Sequence, residues 1–406
     1  MTGSNAVRVA LAGGGVIAVT YGLARFILGL FLPEMRDDLG LSPQMAGLIG
    51  ACPFASYVVA ILSAPSVARI LGVGWATGVA GGLAAAGLAL VGRADGPVTL
   101  ALGVIVCGLS TGLSSPVLAA AVRDRVPAPM QGRVNATINA ATSVGIVAAA
   151  PAVLGWSGAW REAYTVFALI AAATTVLALA GMPRRAPEPA GAAIIPAAPP
   201  PPISREQALA TLRMSALAGT MGFVSAVYWV FAPDLVVHGG GLPAGATAWM
   251  WAAVGIGGLS GIAAGDLIDR HGVSASHAFT LAVLAASLAL LAAAPESAWL
   301  TLVSAATFGA AYMTLTGIHL VLSTRLMPER PAVGPVLPFL AIAAGQIAGS
   351  PVGGWLIAKQ SHGEAFGAFA ALGMAVAVAA LWIGDGRKTP APAAGGAEAG
   401  YAAGPD

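Results

Sequence analysis

Residues 10–32 read ALAGGGVIAVTYGLARFILGLFL, a long apolar run whose one charged member is Arg25. About 20 apolar residues in a helix cross the hydrocarbon core of a bilayer, so this run predicts a membrane-spanning helix. It is too long for the apolar core of a signal peptide. The residues that follow it, Pro33-Glu34 and Arg36-Asp37-Asp38, contain no small-residue cleavage site. We therefore expect a retained first span.

The composition of the whole chain extends this interpretation. Only 9% of the 406 residues are charged, 57% are apolar and the mean hydropathy is +0.83. A soluble domain has about 25% charged residues. The composition excludes a soluble enzyme, a nucleic-acid-binding protein and a disordered chain. The sequence shows no phosphate loop, metal-ligand cluster or nucleophile–base pair, so we expect no catalysis, cofactor or metal.

Twelve apolar runs follow one another along the chain, in two sets of six. We predict spans at 10–32, 46–69, 73–92, 98–122, 133–154, 162–182, 211–235, 246–267, 274–294, 298–323, 333–357 and 364–384. The predicted domains are therefore two six-helix bundles at 1–182 and 211–384. A proline-rich linker at 183–210 joins them, and a disordered tail follows at 385–406.

The positive charges predict the orientation of the spans. If both termini are cytoplasmic, 14 of the 19 Lys and Arg residues lie on the cytoplasmic side, in the linker or in the tail. The other side then has four, Arg36, Arg93, Arg161 and Lys359. Because cytoplasmic loops are enriched in Lys and Arg, we expect an inner-membrane protein with both termini in the cytoplasm.

The two sets of spans resemble each other at an offset of about 200 residues. The recurring features are Phe31-Leu32-Pro33-Glu34 with Phe231-Ala232-Pro233-Asp234, Arg125 with Arg325, Gly145 with Gly345, Pro151 with Pro351, and Gly155-Trp156 with Gly354-Trp355. Their common order indicates an internal duplication. Since six is an even number, the two repeats are parallel, which predicts two six-helix halves related by an axis along the membrane normal.

One loop carries a more specific pattern, Gly265-Asp266-Leu267-Ile268-Asp269-Arg270-His271-Gly272. This G-x-x-x-D-R-x-G pattern between two spans resembles the major facilitator superfamily of secondary transporters, which carries it between helices 2 and 3 and often between helices 8 and 9. The first-half counterpart, Ala64 to Gly72, lacks the aspartate. The resemblance implies a gating role for residues of the two loops and of the neighbouring span ends. These residues are Gly265, Asp269, Arg270, Gly272, Arg325, Arg69 and Arg125.

A second stretch resembles a narrower group. The sequence Tyr21-Gly22-Leu23-Ala24-Arg25-Phe26, followed by Phe31-Leu32-Pro33-Glu34-Met35, is similar to a bacterial subfamily related to cyanate-type permeases. The similarity is strongest over residues 20–60. It implies a transporter without naming a substrate.

Polar side chains within the predicted spans are the candidates for substrate binding. A polar group that faces lipid is left without hydrogen bonds, so these side chains should face a central cavity or a neighbouring helix. The candidates are Tyr21, Arg25, Tyr57, Thr111, Asn139, Thr142, Tyr228, Tyr312, Thr316, His319 and Gln346. For each of them, a hydrogen bond between helices remains the alternative to a role in binding.

Arg25 is the most informative of these candidates. An arginine near the centre of a span is costly and is usually functional or paired. No other predicted span has a carboxylate at mid-membrane, so Arg25 predicts a positive cavity that favours a small organic anion. The alternative is that Arg25 binds backbone carbonyl groups, Asp234 or Glu34.

Together these features predict a monomeric secondary transporter that moves a small solute by alternating access. Its partners are the substrate, the bilayer and, if transport is proton-coupled, protons carried by Glu34, Asp234 or His319. A uniporter or exchanger remains open, and the main alternative is multidrug or metabolite efflux by proton antiport. We also expect Asp269 to pair with Arg325 when the transporter opens outward.

Overall fold

The computed structural model describes residues 2–156, 158–182, 201–330 and 333–382, and these ranges contain helices and turns but no strands. The predicted linker residues 183–200 and the predicted tail lie outside the described residues. The α-helices are α1 (Thr2–Ile17), α2 (Leu28–Leu39), α3 (Pro43–Val91), α4 (Pro97–Arg125), α5 (Ala128–Gly155), α6 (Trp160–Gly181), α7 (Arg205–Asp234), α8 (Gly245–Gly258), α9 (Ala264–His271), α10 (Val273–Ala293), α11 (Ala298–Leu326), α12 (Val336–Lys359) and α13 (His362–Trp382).

Eleven helical segments of the described residues are long and apolar enough to cross a membrane. One of them, α3, has 49 residues. At 1.5 Å per residue it would extend about 74 Å, more than twice the thickness of the hydrocarbon core. Its helical geometry is interrupted at Gly72, where φ is 75° and ψ is 155°. The segment therefore holds two spans, which gives the twelve spans of the predicted all-helical membrane fold.

Gly272 has the same backbone conformation as Gly72, with φ 79° and ψ 167°. This region of backbone space is open to glycine and strained for residues with a Cβ atom. The two glycines lie 200 residues apart at equivalent turns of the two repeats. The last glycine of the G-x-x-x-D-R-x-G pattern is therefore required by the turn that reverses the chain between two spans.

Helix α7 begins at Arg205, six residues before the predicted start of the seventh span. The hydroxyl oxygen of Ser204 accepts a hydrogen bond from the backbone N–H of Gln207 at 3.1 Å. A serine in this position stabilises the first turn of a helix. The residues after Ser204 lack the apolar pattern of a span, so the sequence alone places them in the linker, whereas the structure includes them in α7.

The first span is not a continuous α-helix. After α1, residues Ala18–Leu23 form a π-helical turn, residues 24–27 are not helical, and α2 then begins. The backbone N–H of Ala24 donates to the carbonyl oxygen of Val19, five residues earlier, at 2.8 Å. Such interruptions occur frequently at functional sites. Arg25 lies within this one.

The helices run back and forth between two faces. We call the face where α1 and α5 begin and α11 ends the terminal face, and the face where α2 ends and α3 begins the opposite face. We call α1–α6 the N-terminal half and α7–α13 the C-terminal half.

The two halves meet closely at the opposite face. A Cβ atom added to Gly29 of α2 would overlap with the carbonyl oxygen of Trp229 in α7. A Cβ atom at Gly47 of α3 would lie 2.6 Å from the carbonyl oxygen of Ser350 in α12. Small residues allow helix backbones to approach in this way. We call these contacts the glycine seam, and they close the molecule at the opposite face.

Candidate functional site

A cavity of about 290 Å³ lies between the two halves. Tyr21, Arg25 and Phe26 of the first span line its deep end. Gly265 of α9 and Val321 of α11 line it near the terminal face. Because the glycine seam closes the opposite face, the cavity faces the terminal face. This is the arrangement of a transporter with access from one side.

Arg25 lies at the deep end of this cavity, and its side chain is only 7% exposed. Four aromatic rings surround its guanidinium group, and their centroids lie between 4.5 and 5.5 Å from the Cζ atom. The rings are those of Tyr21, Phe26, Phe54 and Tyr57. At this distance the faces of aromatic rings attract a cation, so they hold the guanidinium group in place.

A hydrogen-bonded chain connects Arg25 with the C-terminal half. One terminal nitrogen of Arg25 donates to the side-chain oxygen of Gln346 at 3.1 Å. The amide nitrogen of Gln346 donates to the hydroxyl oxygen of Tyr312 at 3.2 Å. Since Gln346 uses both ends of its amide, its orientation is fixed, and its oxygen faces Arg25.

The positive charge of Arg25 is not neutralised by a carboxylate. Its Nε–H is buried and has no hydrogen-bond partner among the described residues. The residues that line the cavity include no Asp and no Glu within the part of the chain that the structure describes. The deep end of the cavity is therefore positive, and the guanidinium group beside it has one unsatisfied buried donor.

Six of the predicted substrate-binding residues line the cavity. They are Tyr21, Arg25, Asn139, Thr142, Tyr312 and Thr316. Gln346 and Tyr57 are fully buried and contact Arg25 from behind the cavity wall. The structure therefore places these eight residues around one volume.

The other three candidates lie elsewhere. The hydroxyl of Thr111 donates to backbone carbonyl oxygens of Thr20 and Cys107. Tyr228 shares a hydrogen bond of 3.0 Å with Ser304 and stacks on Phe308. The arrangement favours the alternative for both residues, which is a hydrogen bond between helices.

His319 does not line the cavity either. It is buried in the C-terminal half, where its ring centroid lies 5.0 Å from that of His277. Neither ring has a hydrogen-bond partner among the described residues. Tyr312 and Thr316 of the same helix line the cavity, but His319 contacts α10 instead.

The predicted gating residues lie at or near the terminal face. Arg325 of α11 donates to Asp269 of α9 at 2.9 Å, and both side chains are exposed. This pair is within the C-terminal half and is present while the cavity faces the terminal face. The remaining members of the set are Gly265 at the cavity wall, Gly272 at the turn after α9, exposed Arg69 and Arg270, and Arg125 at the end of α4.

The apolar walls of the cavity were missed by the sequence analysis. They include Phe26, Met313, Phe339 and Ile342. Apolar residues occur on every side of a membrane helix, so hydrophobicity does not distinguish a cavity wall from a lipid-facing surface. The local features near them that mark a site are the charge of Arg25 and the interruption of the first span.

The family model of the Major Facilitator Superfamily matches residues 15–334. The chain belongs to this superfamily. Its members are transporters, and they bind small-molecule substrates. The narrower resemblance to cyanate-type permeases is not confirmed.

Solved transporter structures share the fold of this superfamily member. A mutant form of the nucleoside transporter NupG has a TM-score of 0.73 at 14% identity over 92% of this chain and 99% of that chain. A bacterial homolog to the human lysosomal transporter Spinster, in an inward-facing and occupied conformation, has a TM-score of 0.71. Its identity is 13%, over 93% of this chain and 96% of that chain.

The D-xylose-proton symporter has a TM-score of 0.69 at 15% identity over 92% of this chain and 96% of that chain. At such identities the likeness shows the fold alone. A comparison with curated protein sequences finds no significant match.

Proposed function

We propose that this superfamily member transports a small organic anion across the bacterial inner membrane by alternating access, with Arg25 as the anion-binding residue. The observation that carries the proposal is the buried guanidinium group of Arg25, which has no carboxylate partner and a free Nε–H donor within the described residues. An isolated buried charge is costly, so a site of this kind favours a ligand of opposite charge.

The geometry of the donors suits a carboxylate or a similar planar anion. Gln346 accepts a hydrogen bond from one terminal nitrogen of Arg25, which leaves the remaining terminal N–H groups for a ligand, whereas Nε is buried beneath the cavity surface. A guanidinium group presents its donors in a plane and binds carboxylates through two parallel hydrogen bonds. The hydroxyl of Tyr312, at the end of the same chain, lies beside this position and adds a further polar group.

The rest of the cavity suits an apolar body with few polar groups. Phe26, Met313, Phe339 and Ile342 supply the apolar surface, and Asn139 and Thr316 supply amide and hydroxyl groups. Binding cavities commonly combine apolar walls with a few polar groups that fix the orientation of the ligand. We infer a monovalent anion, because one cation lines the described cavity.

The distribution of Lys and Arg supports the orientation of the protein. The terminal face carries Arg69, Arg270 and Arg325, among others, and the opposite face has few basic residues. By the positive-inside rule we assign the terminal face to the cytoplasm. The described arrangement then corresponds to a cavity that is open to the cytoplasm and closed to the outside.

We further propose that the predicted gating residues act when the cytoplasmic side closes. The Asp269–Arg325 pair holds α9 against the end of α11, at the side of the cavity mouth. In this role the pair keeps the shape of the C-terminal half while that half moves towards the N-terminal half. The Asp269–Arg325 pair can persist whether the cytoplasmic side is open or closed, because both residues belong to the same half.

Multidrug efflux by proton antiport remains the second candidate. A site for cationic drugs commonly has an acidic residue, and none lines the cavity in the described part of the chain. The positive charge of Arg25 would also repel a cationic drug. The electrostatics of the cavity therefore favour an anion over a cation.

Ligand binding to the purified protein tests this proposal. We expect small monocarboxylates, including aromatic ones, to raise its melting temperature and cationic drugs to leave it unchanged. Arg25→Gln should weaken anion binding about ten- to a hundredfold, because it removes hydrogen bonds to a charged group. Arg25→Lys should keep part of the affinity, since it retains the charge but loses the planar geometry.

Arg93→Gln is the matched control, because Arg93 is an exposed arginine of the same half. It removes the same charge without touching the cavity and should leave anion binding unchanged. Full anion affinity in Arg25→Gln, or stabilisation by cationic drugs alone, would contradict the proposal.

A further inference from the structure

A cluster of charged and imidazole side chains lies at the opposite face, away from the cavity. Its centre is Asp234 at the end of α7, whose side chain is fully buried. Arg36 of α2 forms an ion pair with one carboxylate oxygen of Asp234, and His362 of α13 contacts the same oxygen at 2.7 Å. His238, one helical turn after Asp234, contacts the other oxygen through Nδ1 at 2.9 Å. The buried carboxylate is thus surrounded by nitrogen atoms of three side chains.

Two contacts of this cluster join the two halves of the molecule. Arg36 belongs to the N-terminal half and Asp234 to the C-terminal half. In the second contact, the carboxylate belongs to the N-terminal half: Nε2 of His238 lies 3.1 Å from a carboxylate oxygen of Asp37 in α2. The cluster therefore bridges the same face that the glycine seam closes.

Both ring nitrogens of His238 face carboxylate oxygens. A neutral imidazole has one N–H donor and one acceptor nitrogen, so it can donate to Asp234 or to Asp37 but not to both. Only the doubly protonated ring satisfies both contacts. We propose that His238 is a proton-binding residue whose protonated ring links Asp37 to Asp234 and holds the two halves together at the opposite face.

The charge balance of the cluster supports this assignment. Arg36 carries one positive charge, and Asp37 and Asp234 carry two negative charges, so the group is neutral when His238 is protonated. The positive charge of Arg36 disfavours protonation of His238, but the carboxylates of Asp37 and Asp234 both face the His238 ring and favour it. His362 differs, because it contacts Asp234 through Nε2 alone and a neutral ring satisfies that contact.

Several other charged groups near this end of the helices have partners of their own or are exposed. Asp38 pairs with Arg161, Glu34 accepts from the backbone N–H of Gly158, and Glu364 bonds Ser361. Glu296 is exposed on the loop that packs its backbone against Gly240. The ring of His238 is thus faced by Arg36, Asp37 and Asp234.

The direction of the pH effect follows from the two contacts. When the halves separate at this face, Asp37 and Arg36 both move away, and the His238 ring keeps Asp234 as its one carboxylate partner. Asp37 contacts the ring directly, whereas Arg36 contacts the other oxygen of Asp234, so the loss of Asp37 determines the direction. A single contact does not require the second proton. The closed arrangement therefore binds the proton more tightly, so acid stabilises closure and alkaline pH favours opening. Histidine changes its charge between about pH 5 and 8, which sets the range.

Distance measurements between spin labels test this inference. Arg93→Cys and Glu296→Cys place one exposed label on each half at the opposite face, in a chain whose Cys52 and Cys107 are replaced. We expect the population with separated halves to rise about two- to fivefold between pH 5.5 and 8.5, because a partly exposed ion pair contributes modestly. His238→Gln and Asp37→Asn should each abolish this response.

Two variants serve as controls in the same experiment. His271→Gln replaces an exposed histidine of the terminal face, and His362→Gln removes an imidazole that makes no contact between the halves. Both should keep the pH response. A wild-type population that does not change with pH, or a response that survives in His238→Gln, would overturn the inference. The inference rests on the alternating access of the proposed function, but the experiment contains no substrate and therefore does not depend on the role of Arg25.

Discussion

Gln346 determines the electrostatics around Arg25. It is fully buried, and its amide joins Arg25 to Tyr312 without adding a charge. A glutamate has nearly the same shape and could occupy the same place, but it would neutralise the guanidinium group. An amide at this position is therefore what keeps the positive charge available for a ligand.

We predict that Gln346→Glu weakens anion binding by tenfold or more, which corresponds to about 1.4 kcal/mol. The new carboxylate would pair with Arg25 and repel the anion. The protein should still fold, because the buried charge has a partner. Gln360→Glu makes the same chemical change at an exposed site and should leave affinity unchanged. Calorimetric titration with a monocarboxylate that the wild type binds measures the affinity of both variants. Equal affinities in the two variants would rule out the electrostatic role of Gln346.

The turns at Gly72 and Gly272 define the ends of the spans that they connect. Both glycines have positive φ with extended ψ, a combination that strains residues with a Cβ atom. The aspartate of the motif is present in one of the two loops, whereas the glycine is present in both. What the two turns have in common is thus a backbone conformation that favours glycine, and not the aspartate.

We predict that Gly272→Ala lowers the free energy of unfolding by about 1–3 kcal/mol, because alanine is strained in this conformation. Gly265→Ala is the control from the same loop motif, since Gly265 is helical and a Cβ atom there meets nothing within 4 Å. Thermal denaturation in detergent compares the two variants. A melting temperature for Gly272→Ala at or above that of Gly265→Ala would show that the turn tolerates a side chain.

The whole molecule is closed at one face by backbone contacts between its halves. The glycine seam brings α2 against α7 and α3 against α12, and the ionic cluster around Asp234 lies beside it. Helix contacts of this kind leave no space for a Cβ atom. The stability of the closed arrangement should therefore be sensitive to the smallest side chains.

We predict that Gly29→Ala shifts the protein towards opening at the opposite face. The added methyl group would overlap with the carbonyl oxygen of Trp229, and such overpacking costs about 1–3 kcal/mol. Ser350→Cys, at a buried position of the seam, should then react at least fivefold faster with a membrane-impermeant maleimide. Gly82→Ala, where a Cβ atom meets nothing within 4 Å, should leave the rate unchanged. Equal rates in the two variants would contradict the prediction.

Much of the fold was predictable because its determinants are local in sequence. Lengths of apolar runs define the spans, and the recurrence at 200 residues defines the repeat. Arg25 was predictable as a site because a charge within a span is costly. The contacts of Arg25 were not predictable, because Phe54 and Gln346 reach it from other helices.

The cluster at Asp234 shows more clearly that contacts between distant segments cannot be predicted from the sequence. Asp234 and His238 lie four residues apart, which places both on one side of a helix and could have indicated a pair. Arg36 and Asp37 come from about 200 residues earlier in the chain, and His362 comes from more than 120 residues later. No spacing within one segment could reveal that these residues meet.

The unpaired charge of Arg25 has an electrical consequence. When the cavity changes the side to which it opens, this charge passes from one aqueous compartment to the other, so the empty carrier moves positive charge through the membrane field. A bound monoanion cancels that charge, and the loaded carrier then moves none. A charge that crosses the whole field changes its free energy by about 2.3 kcal/mol per 100 mV. With the proposed monoanionic substrate and the proposed orientation, voltage acts on the return of the empty carrier, and a negative interior holds its cavity towards the cytoplasm.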